Sequence, residues 1–216
     1  EQVLLAVGGQ GAMLTALSAV TRPGDTLLVE QLTYPGLRAV ALYLGLRLVP
    51  VAMDAEGLLP DAVEQAARTH GAHALYCMPT LQNPTTITLS LERRRALVEV
   101  ARRIGLMLIE DDVYGFLKQP APPTLHSLGP DVTLYISSLS KSLFPGLRTG
   151  FVVGPRPLFD RLATILRATV LAPAHMGTVV AAELIDSGEA GRIAQRRRTL
   201  VAERQVLARS VLSGHD

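Results

Sequence analysis

Residues 132–150 read VTLYISSLSKSLFPGLRTG, and this stretch says most about how the chain folds and what it binds. It begins with the apolar, strand-like run 132–136. It continues directly into a polar segment that contains Lys141 and, seven residues later, Arg148. In open α/β sheets, ligands gather at the carboxyl ends of the strands. The stretch therefore predicts a strand of such a sheet with a ligand site at its end.

The polar segment carries the groups that pyridoxal 5′-phosphate (PLP) requires. The amine of Lys141 can form a Schiff base with an aldehyde, and the serine hydroxyls and the forked guanidinium of Arg148 suit the oxygens of a phosphate. Only Lys118 and Lys141 of the 21 lysines and arginines are lysines. A buried lysine can lose its proton, whereas an arginine stays charged. The segment alone leaves an alternative open, a lysine that binds a phosphate or forms a salt bridge.

Short apolar runs alternate with longer amphipathic runs along the rest of the chain. This alternation predicts a three-layer α/β/α sandwich, in which helices cover both faces of a mainly parallel central sheet. The predicted strands cover residues 3–7, 26–29, 47–51, 74–78, 106–109, 132–136 and 150–153. The predicted helices cover residues 11–21, 36–44, 60–69, 92–104, 157–169, 178–185 and 190–212.

Composition limits the classes of protein to consider. A chain of 216 residues with 48% hydrophobic residues can bury the core of one domain. Its net charge of +2 is too small to imply a nucleic-acid or membrane partner. The single cysteine, Cys77, excludes an internal disulfide and favours the cytoplasm. The uncharged run 2–21 is interrupted by glycines, which argues against a membrane span. The first residue is not methionine, and we expect a fragment of a longer protein.

Polar, glycine-rich or aromatic residues follow five of the predicted strands. Each group has a structural explanation of its own, because glycines form tight turns, Asn-Pro is a common turn and paired aspartates cap helices. Their shared position predicts one site at the carboxyl edge of the sheet. The groups are Gly8-Gly9-Gln10-Gly11, Tyr34-Pro35-Gly36, residues 79–85, residues 110–114 and the lysine segment.

Together these residues resemble the large domain of fold type I PLP enzymes, the class I and II aminotransferases, over nearly the whole chain. The resemblance implies that Lys141 forms the Schiff base and that Asp111 faces the pyridine nitrogen. It also implies that Tyr114 and Asn83 hydrogen-bond the phenolic oxygen and that Tyr34 stacks on the ring. The catalytic residues would be Lys141, Asp111 and Tyr114. The residues implied to hold the phosphate are Gly9, Gln10, Ser138, Ser140 and Arg148.

A closer resemblance is to the MocR-type regulators of the GntR superfamily, which join a winged helix-turn-helix to an aminotransferase-like domain. It rests on residues 109–115, residues 140–148 and the arginine-rich helix after Asp186-Ser187-Gly188. Two positions depart from the aminotransferase pattern. Thr86 stands where the family has glycine, which affects the local turn, and Gly9 stands where a hydroxyl residue is common.

Other motifs are explained without a site. Ser138-Leu139-Ser140-Lys141 matches the Ser-x-x-Lys of penicillin-binding enzymes, but their Lys-Thr-Gly and Ser-Asp-Asn motifs are missing. His70 and His73 have a spacing compatible with a metal, but no third ligand lies near them in the sequence, so no metal is predicted. The arginine clusters 93–95, 102–103 and 196–198 are interpreted as solvated helix faces and ion pairs.

Two functions follow from the resemblance. In the first, which the sequence slightly favours, the domain binds PLP and an amino acid or amine as effector of a regulator. DNA would then be bound by an N-terminal domain outside these residues. In the second, it transfers an amino group between an amino acid and a 2-oxo acid through Lys141 and PLP. In both, residues 1–216 form a PLP-binding large domain, a C-terminal small domain lies outside them, and the protein is a cytoplasmic homodimer.

Overall fold

A computed structural model describes residues 3–173 and 175–213, which alternate between strands and helices over most of their length. The strands are β1 (Val3–Val7), β2 (Thr26–Glu30), β3 (Arg47–Val51), β4 (Met53–Asp54), β5 (Gly57–Leu58), β6 (Ala74–Cys77), β7 (Met107–Asp111), β8 (Thr133–Ser138) and β9 (Thr149–Val153). The helices are α1 (Gly8–Val20), α2 (Pro35–Tyr43), α3 (Pro60–His70), α4 (Leu91–Ile104), α5 (Leu125–Leu128), α6 (Leu139–Ser142), α7 (Phe159–Val170), α8 (His175–Asp186) and α9 (Glu189–Leu212).

The described strands form one large sheet in the order β1-β9-β8-β7-β6-β2-β3. Strands β8, β7, β6, β2 and β3 pair in parallel. Strand β9 is antiparallel to both of its neighbours, β1 and β8. As a consequence, β1 runs in the same direction as β8, and β9 begins at the edge where the other strands end. The mainly parallel sheet predicted from the sequence is confirmed.

Apolar side chains cover both faces of the sheet, because successive residues of a strand point to opposite sides. On one face, strand residues such as Leu27 pack with Met13 and Leu17 of α1 and with Leu162 of α7. On the other face, strand residues such as Leu28 pack with residues of α3 and α4, including Val63 and Leu97. The result is the predicted three-layer α/β/α arrangement, with the sheet between two apolar cores.

Most predicted boundaries agree with the structure to within a few residues, but α1 begins three residues before the predicted start. Gly8, its first residue, has φ +66°, a conformation that suits glycine. The chain therefore turns at the first glycine, so Gly9 and Gln10 belong to the first turn of the helix. The small β4–β5 hairpin and the short helices α5 and α6 were not predicted, because segments of two to four residues are too short to show a period.

Local signals explain where helix α4 begins and ends. The hydroxyl of Ser90 accepts a hydrogen bond of 3.2 Å from the Arg93 amide, as predicted for an N-cap. Gly105 ends the helix with φ +67°, the left-handed conformation common after a last turn. Of the helices in residues 3–173 and 175–213, none is long and apolar enough to cross a membrane.

Candidate functional site

A pocket of about 220 Å³ lies at the carboxyl edge of the sheet. All ten residues predicted to contact a cofactor line it, although they come from six separate segments of the chain. Three apolar residues that the sequence did not single out, Met13, Met78 and Val113, complete the lining. The predicted residues in the lining are Gly9, Gln10, Tyr34, Asn83, Asp111, Tyr114, Ser138, Ser140, Lys141 and Arg148.

Lys141 lies in the short helix α6, which directly follows β8. Its Nζ atom is 5.9 Å from the centre of the Tyr114 ring, within the range of a cation–π contact. Lys118, the other lysine, is not among the residues that line this pocket. The structure therefore distinguishes the two lysines by position, and of the two only the predicted one lines the pocket.

Asp111 is the last residue of β7 and is almost completely buried. Its Oδ2 atom accepts a hydrogen bond of 2.7 Å from the Tyr76 hydroxyl, and Oδ1 accepts one of 3.2 Å from the Val113 amide. Burial raises the pKa of Asp111 to about 6, while both hydrogen bonds act in the opposite direction. The carboxyl is thus fixed in orientation and can be ionised at neutral pH.

Tyr76 was not predicted to take part in the site. It lies in the middle of an apolar strand and is fully buried, so the sequence pattern is that of a core aromatic residue. The available signal was its position on β6, next to β7 and three residues before the polar segment 79–85. Burial and the neighbouring Asp111 raise the pKa of its hydroxyl well above the usual value, so it stays protonated and remains a hydrogen-bond donor.

The adjacent Asp112 lies in a different environment. Its Oδ2 atom accepts a hydrogen bond of 3.1 Å from the Tyr135 hydroxyl, and it does not line the pocket. The preceding residue, Glu110, points to the opposite side from Asp111 and accepts hydrogen bonds of 2.9 Å from the amides of Leu125 and His126. Of the three consecutive carboxyls, Asp111 is therefore the one that the structure brings into the pocket, as the sequence predicted.

The first turn of α1 and the residues around Arg148 approach each other closely. A Cβ atom on Gly8 would lie only 2.9 Å from an Arg148 guanidinium nitrogen, and one on Gly9 would lie 3.4 Å from the Ser138 hydroxyl oxygen. Arg148 itself has φ +47°, and its guanidinium donates a hydrogen bond of 3.3 Å to the Val7 carbonyl. The glycines therefore leave room for a helix N-terminus, a hydroxyl and a guanidinium to face one point, an arrangement that favours an anion.

A buried hydroxyl in the same part of the pocket supports this interpretation. The Ser140 Oγ atom is enclosed and has no hydrogen-bond partner among the described residues. A buried polar atom without a partner costs about 1–3 kcal/mol. A ligand rich in oxygen atoms, bound between Ser140, Ser138 and Arg148, would supply the missing partner. The residues present therefore fit the phosphate of PLP.

Tyr34 and Asn83 line the pocket from two neighbouring loops. Tyr34 precedes helix α2, and a Cβ atom on Gly36 would lie 2.4 Å from its ring, so glycine is needed for the ring to take this position. Asn83 precedes Pro84 through a cis peptide bond. Thr86, which replaces the expected glycine, has φ +61°, so the turn keeps a left-handed residue although threonine is unsuited to it.

The arginine clusters 93–95 and 102–103 lie away from the pocket, whereas in the cluster 196–198 the predicted solvated face is wrong for Arg197 and Arg198, which donate hydrogen bonds to the carbonyls of Leu143 and Phe116. Arg102 pairs with Asp131 at 2.6 Å, and Arg93 pairs with Asp54 at 3.0 Å, as expected for surface ion pairs. Arg94 contradicts the interpretation of its cluster as a solvated face. It is fully buried and pairs with Glu110 at 3.8 Å, because it turns inward from α4 to hydrogen-bond loop carbonyls. In the described parts of the chain, no group of three or more His, Cys, Asp or Glu side chains is placed to hold a metal.

Comparison with known proteins identifies the family. The model of the family "Aminotransferase class I and II" matches residues 1–213. An uncharacterized HTH-type transcriptional regulator of Bacillus subtilis, YdeF, is 31% identical over all of this chain and 46% of the regulator. The mitochondrial kynurenine/alpha-aminoadipate aminotransferase of Bos taurus is 29% identical over 82% of this chain and 45% of that enzyme. The chain thus spans about half the length of these curated relatives.

Solved structures agree with this assignment. Pyrococcus horikoshii kynurenine aminotransferase, solved in complex with PMP, superposes with a TM-score of 0.92 at 25% identity over 99% of this chain and 55% of that protein. An alpha-aminoadipate aminotransferase of Thermus thermophilus, solved with N-(5′-phosphopyridoxyl)-L-leucine, gives a TM-score of 0.83 at 27% identity over 91% of this chain and 53% of that one.

The fold and the pocket are those of an aminotransferase-like domain. The chain belongs to the class I and II aminotransferase family. The family resemblance inferred from the motifs is therefore confirmed, and the match to HTH-type regulators agrees with the closer resemblance to regulators of the MocR kind.

Proposed function

We propose that this chain is a PLP-binding large domain in which Lys141 holds the cofactor covalently. The observation that carries the proposal is the convergence of all ten predicted residues on one pocket, where a buried Ser140 hydroxyl has no partner in the described chain. When bound, PLP supplies an electron sink for the bonds of an amino acid α-carbon. The chain's own residues bind it, orient it and set the protonation of its polar atoms.

Each residue has a distinct role in this proposal. The Asp111 carboxylate, fixed by two hydrogen bonds, holds a proton on the pyridine nitrogen. Asn83 and Tyr114 donate hydrogen bonds to the phenolic oxygen, and Tyr34 packs on the ring. The Lys141 amine, when free, moves a proton at the α-carbon of an amino compound. The residues that hold the phosphate are Gly9, Gln10, Ser138, Ser140 and Arg148.

Borohydride labelling tests the proposal directly, because the chain contains only two lysines. The purified protein should absorb near the boundary of the visible and ultraviolet ranges after PLP is added. Borohydride should then fix the label on Lys141, as detected by peptide mass spectrometry. Lys141→Ala should lose the covalent label but keep some PLP affinity, because the phosphate site remains. A label on Lys118, or no label on folded protein, would refute the assignment.

We further propose that the whole protein is a regulator rather than a free-standing enzyme. The match over the full chain to a protein named as an HTH-type regulator, of which the chain covers 46%, supports this choice. The domain would then bind PLP and an amino acid or amine as effector. A separate N-terminal domain would bind DNA, and a C-terminal small domain would complete a cytoplasmic homodimer. The other candidate is an aminotransferase, because aminotransferases also match the chain.

A paired assay on the full-length protein separates the two functions. The first arm measures binding to its own upstream DNA with and without PLP and a panel of amino acids. The second follows amino-group transfer from the same amino acids by absorbance. For a regulator, we expect DNA affinity to change with the ligands and transfer to be slow compared with a typical enzyme turnover of about 10 per second. Fast turnover without DNA binding would establish the aminotransferase instead.

A further inference from the structure

Gln82 is buried next to the pocket and uses its whole side-chain amide in hydrogen bonds. Its Nε2 atom donates to Oε2 of Glu30 at 3.0 Å and to the Leu32 carbonyl at 2.6 Å. Its Oε1 atom accepts from the amide of Thr85 at 2.9 Å and from the Thr85 hydroxyl at 2.7 Å. A single side chain therefore connects the end of β2 to the loop that follows β6.

Glu30 holds this amide in place at a considerable cost. The carboxyl is only 2% exposed, and none of the ion pairs found within the described chain involves it. Its second oxygen accepts a hydrogen bond of 3.2 Å from the Met78 amide. Burial raises the pKa of Glu30 to about 7, although the bonds from Gln82 and Met78 oppose the rise. An apolar side chain would fill the same space without this cost, so the carboxyl contributes something other than packing.

The two connected loops are the ones that bring Tyr34 and Asn83 to the pocket. Leu32 precedes Tyr34 by two residues, and Asn83 directly follows Gln82. Each loop also has a backbone hydrogen bond of its own, within the loop for residues 79–86 and to strand β3 for residues 31–34. The backbone N–H of Gln82 donates to the Ile87 carbonyl at 2.8 Å, and the backbone N–H of Gln31 donates to the Val51 carbonyl at 3.1 Å. These backbone bonds do not join the loops. Among the described residues, the hydrogen bond that joins residues 79–86 to residues 31–34 is the one that the Gln82 side chain donates to the Leu32 carbonyl.

We propose that Gln82, oriented by Glu30, is a positioning residue that sets the separation of Tyr34 and Asn83 and so prepares the pocket for PLP. The proposal rests on the proposed PLP site, since it assigns a role within that site. Gln82 acts through the two loops, because Tyr34 and Asn83 line the cofactor pocket and Gln82 does not. Loss of its amide should let both loops move before the ligand binds, so that binding has to order them.

The variant Gln82→Met tests this role, because methionine is also unbranched but has no donor or strong acceptor. Gln65→Met is the control, since Gln65 is an exposed glutamine on α3. Hydrogen exchange of the PLP-free protein is the first measurement. We expect faster exchange of the Thr85 amide in Gln82→Met, because its acceptor is gone, and no change in the control. Unchanged exchange at Thr85 in Gln82→Met would overturn the proposal.

The second measurement is the Kd for PLP in Gln82→Met, in Tyr34→Leu/Asn83→Ala and in the combined variant. We expect Gln82→Met to raise the Kd about tenfold in the wild-type background, equivalent to about 1.4 kcal/mol. We expect a much smaller rise in the background that lacks both positioned side chains, since coupled residues are not additive. A merely structural Gln82 would give equal rises in both backgrounds, and that result would overturn the proposal.

A milder variant covers the case in which Gln82→Met does not fold. Thr85→Val keeps the shape of the side chain and removes both hydrogen bonds of the Thr85 hydroxyl, the 2.7 Å bond that it donates to Gln82 and the 3.4 Å bond that it accepts from the Ile87 amide. Its effects should be the same in direction as those of Gln82→Met but smaller. We expect faster hydrogen exchange of residues 83–86 and a higher Kd for PLP. No change in either quantity would count against the proposal. Failure of wild-type protein to bind PLP at Lys141 would instead refute the proposed function, which the exchange experiment does not depend on.

Discussion

The Tyr76 hydroxyl donates a hydrogen bond of 2.7 Å to the Asp111 carboxylate from the neighbouring parallel strand. Tyr76 pairs in register with Ile109, so Tyr76 and Asp111 project from the same face of the sheet. Burial favours the neutral form of Asp111, and the Tyr76 donor favours the ionised form. The strand pairing therefore places a hydrogen-bond donor next to Asp111 that lowers the pKa of this buried carboxyl.

Tyr76→Phe should raise the pKa of Asp111 above its value of about 6, because the burial remains and the donor is lost. We expect the PLP affinity at pH 7 to fall, and the pH at which half of the affinity is lost to move upward. The measurement is the Kd for PLP between about pH 5.5 and about pH 8.5, a range that spans the pKa of Asp111, about 6, and neutral pH. Tyr135→Phe is the matched control, since its hydroxyl bonds Asp112 outside the pocket. Equal shifts in the two variants would contradict the assignment.

Arg148→Ala should weaken PLP more than pyridoxal, which lacks the phosphate. A hydrogen bond to a charged group contributes about 1.5–3 kcal/mol, so we expect the Kd for PLP to rise about ten- to a hundredfold. Competition binding with the two ligands measures the difference, and Arg156→Ala, at an exposed arginine, serves as the control. Equal losses for PLP and pyridoxal would place Arg148 away from the phosphate.

The sequence predicted site residues from polar positions at the ends of apolar runs. Lys141, Asp111 and Arg148 were predicted because polar residues at the end of an apolar run are conspicuous and because parallel strands end at one edge, and all three line the pocket. Tyr76 and Gln82 were not singled out, because each has a sequence pattern with a commoner explanation. An aromatic residue inside an apolar strand has the pattern of a core residue, and a glutamine in a loop has the pattern of a surface residue. Their hydrogen bonds to Asp111 and Glu30 join residues that are 35 and 52 positions apart in sequence, which a local pattern does not show.

Arg94 shows a similar limit for the fold. Its neighbours on α4 are charged, so the sequence pattern indicates a solvated helix face. In the structure, its guanidinium reaches inward and donates hydrogen bonds to the carbonyls of Leu89, Pro79 and Pro123, which lie in loops rather than in regular structure. Helical periodicity describes where a side chain leaves the helix, and a long side chain can cover the remaining distance to the core.

Thr86→Gly should stabilise the protein. A β-branched residue at φ +61° is strained by about 1–2 kcal/mol, whereas glycine adopts this conformation freely. Glycine has more entropy than threonine in the unfolded chain, and this offsets part of the relief of strain. We therefore expect the free energy of unfolding to rise by about 0.5–1 kcal/mol. Thermal unfolding of the variant measures the gain. Thr69→Gly in α3 is the control and should destabilise, because its backbone is helical. A lower Tm for Thr86→Gly would show that the threonine side chain stabilises the turn.

Three buried carboxyls should make the stability of the PLP-free protein depend on pH. Burial raises the pKa of Glu30 from 4.5 to about 7, of Glu110 from 4.5 to about 7, and of Asp111 from 3.8 to about 6. Each group binds its proton more tightly in the folded state, so each makes the free energy of unfolding fall as the pH rises from its unfolded to its folded pKa. The contribution of these three carboxyls to the free energy of unfolding should therefore decrease from about pH 4 to about pH 7 and then stay constant.

Glu30→Gln should remove the contribution of Glu30 to the pH dependence of the free energy of unfolding, because glutamine does not titrate. A group that is protonated when folded and ionised when unfolded changes the free energy of unfolding by about 1.4 kcal/mol per pH unit. Urea unfolding at pH 5, 6, 7 and 8 should therefore show a shallower fall for Glu30→Gln than for the wild type, even if the variant is less stable at every pH. Glu203→Gln, at an exposed residue of α9, should keep the wild-type slope. A wild-type slope in Glu30→Gln would mean that Glu30 titrates at the same pH in the folded and unfolded chains.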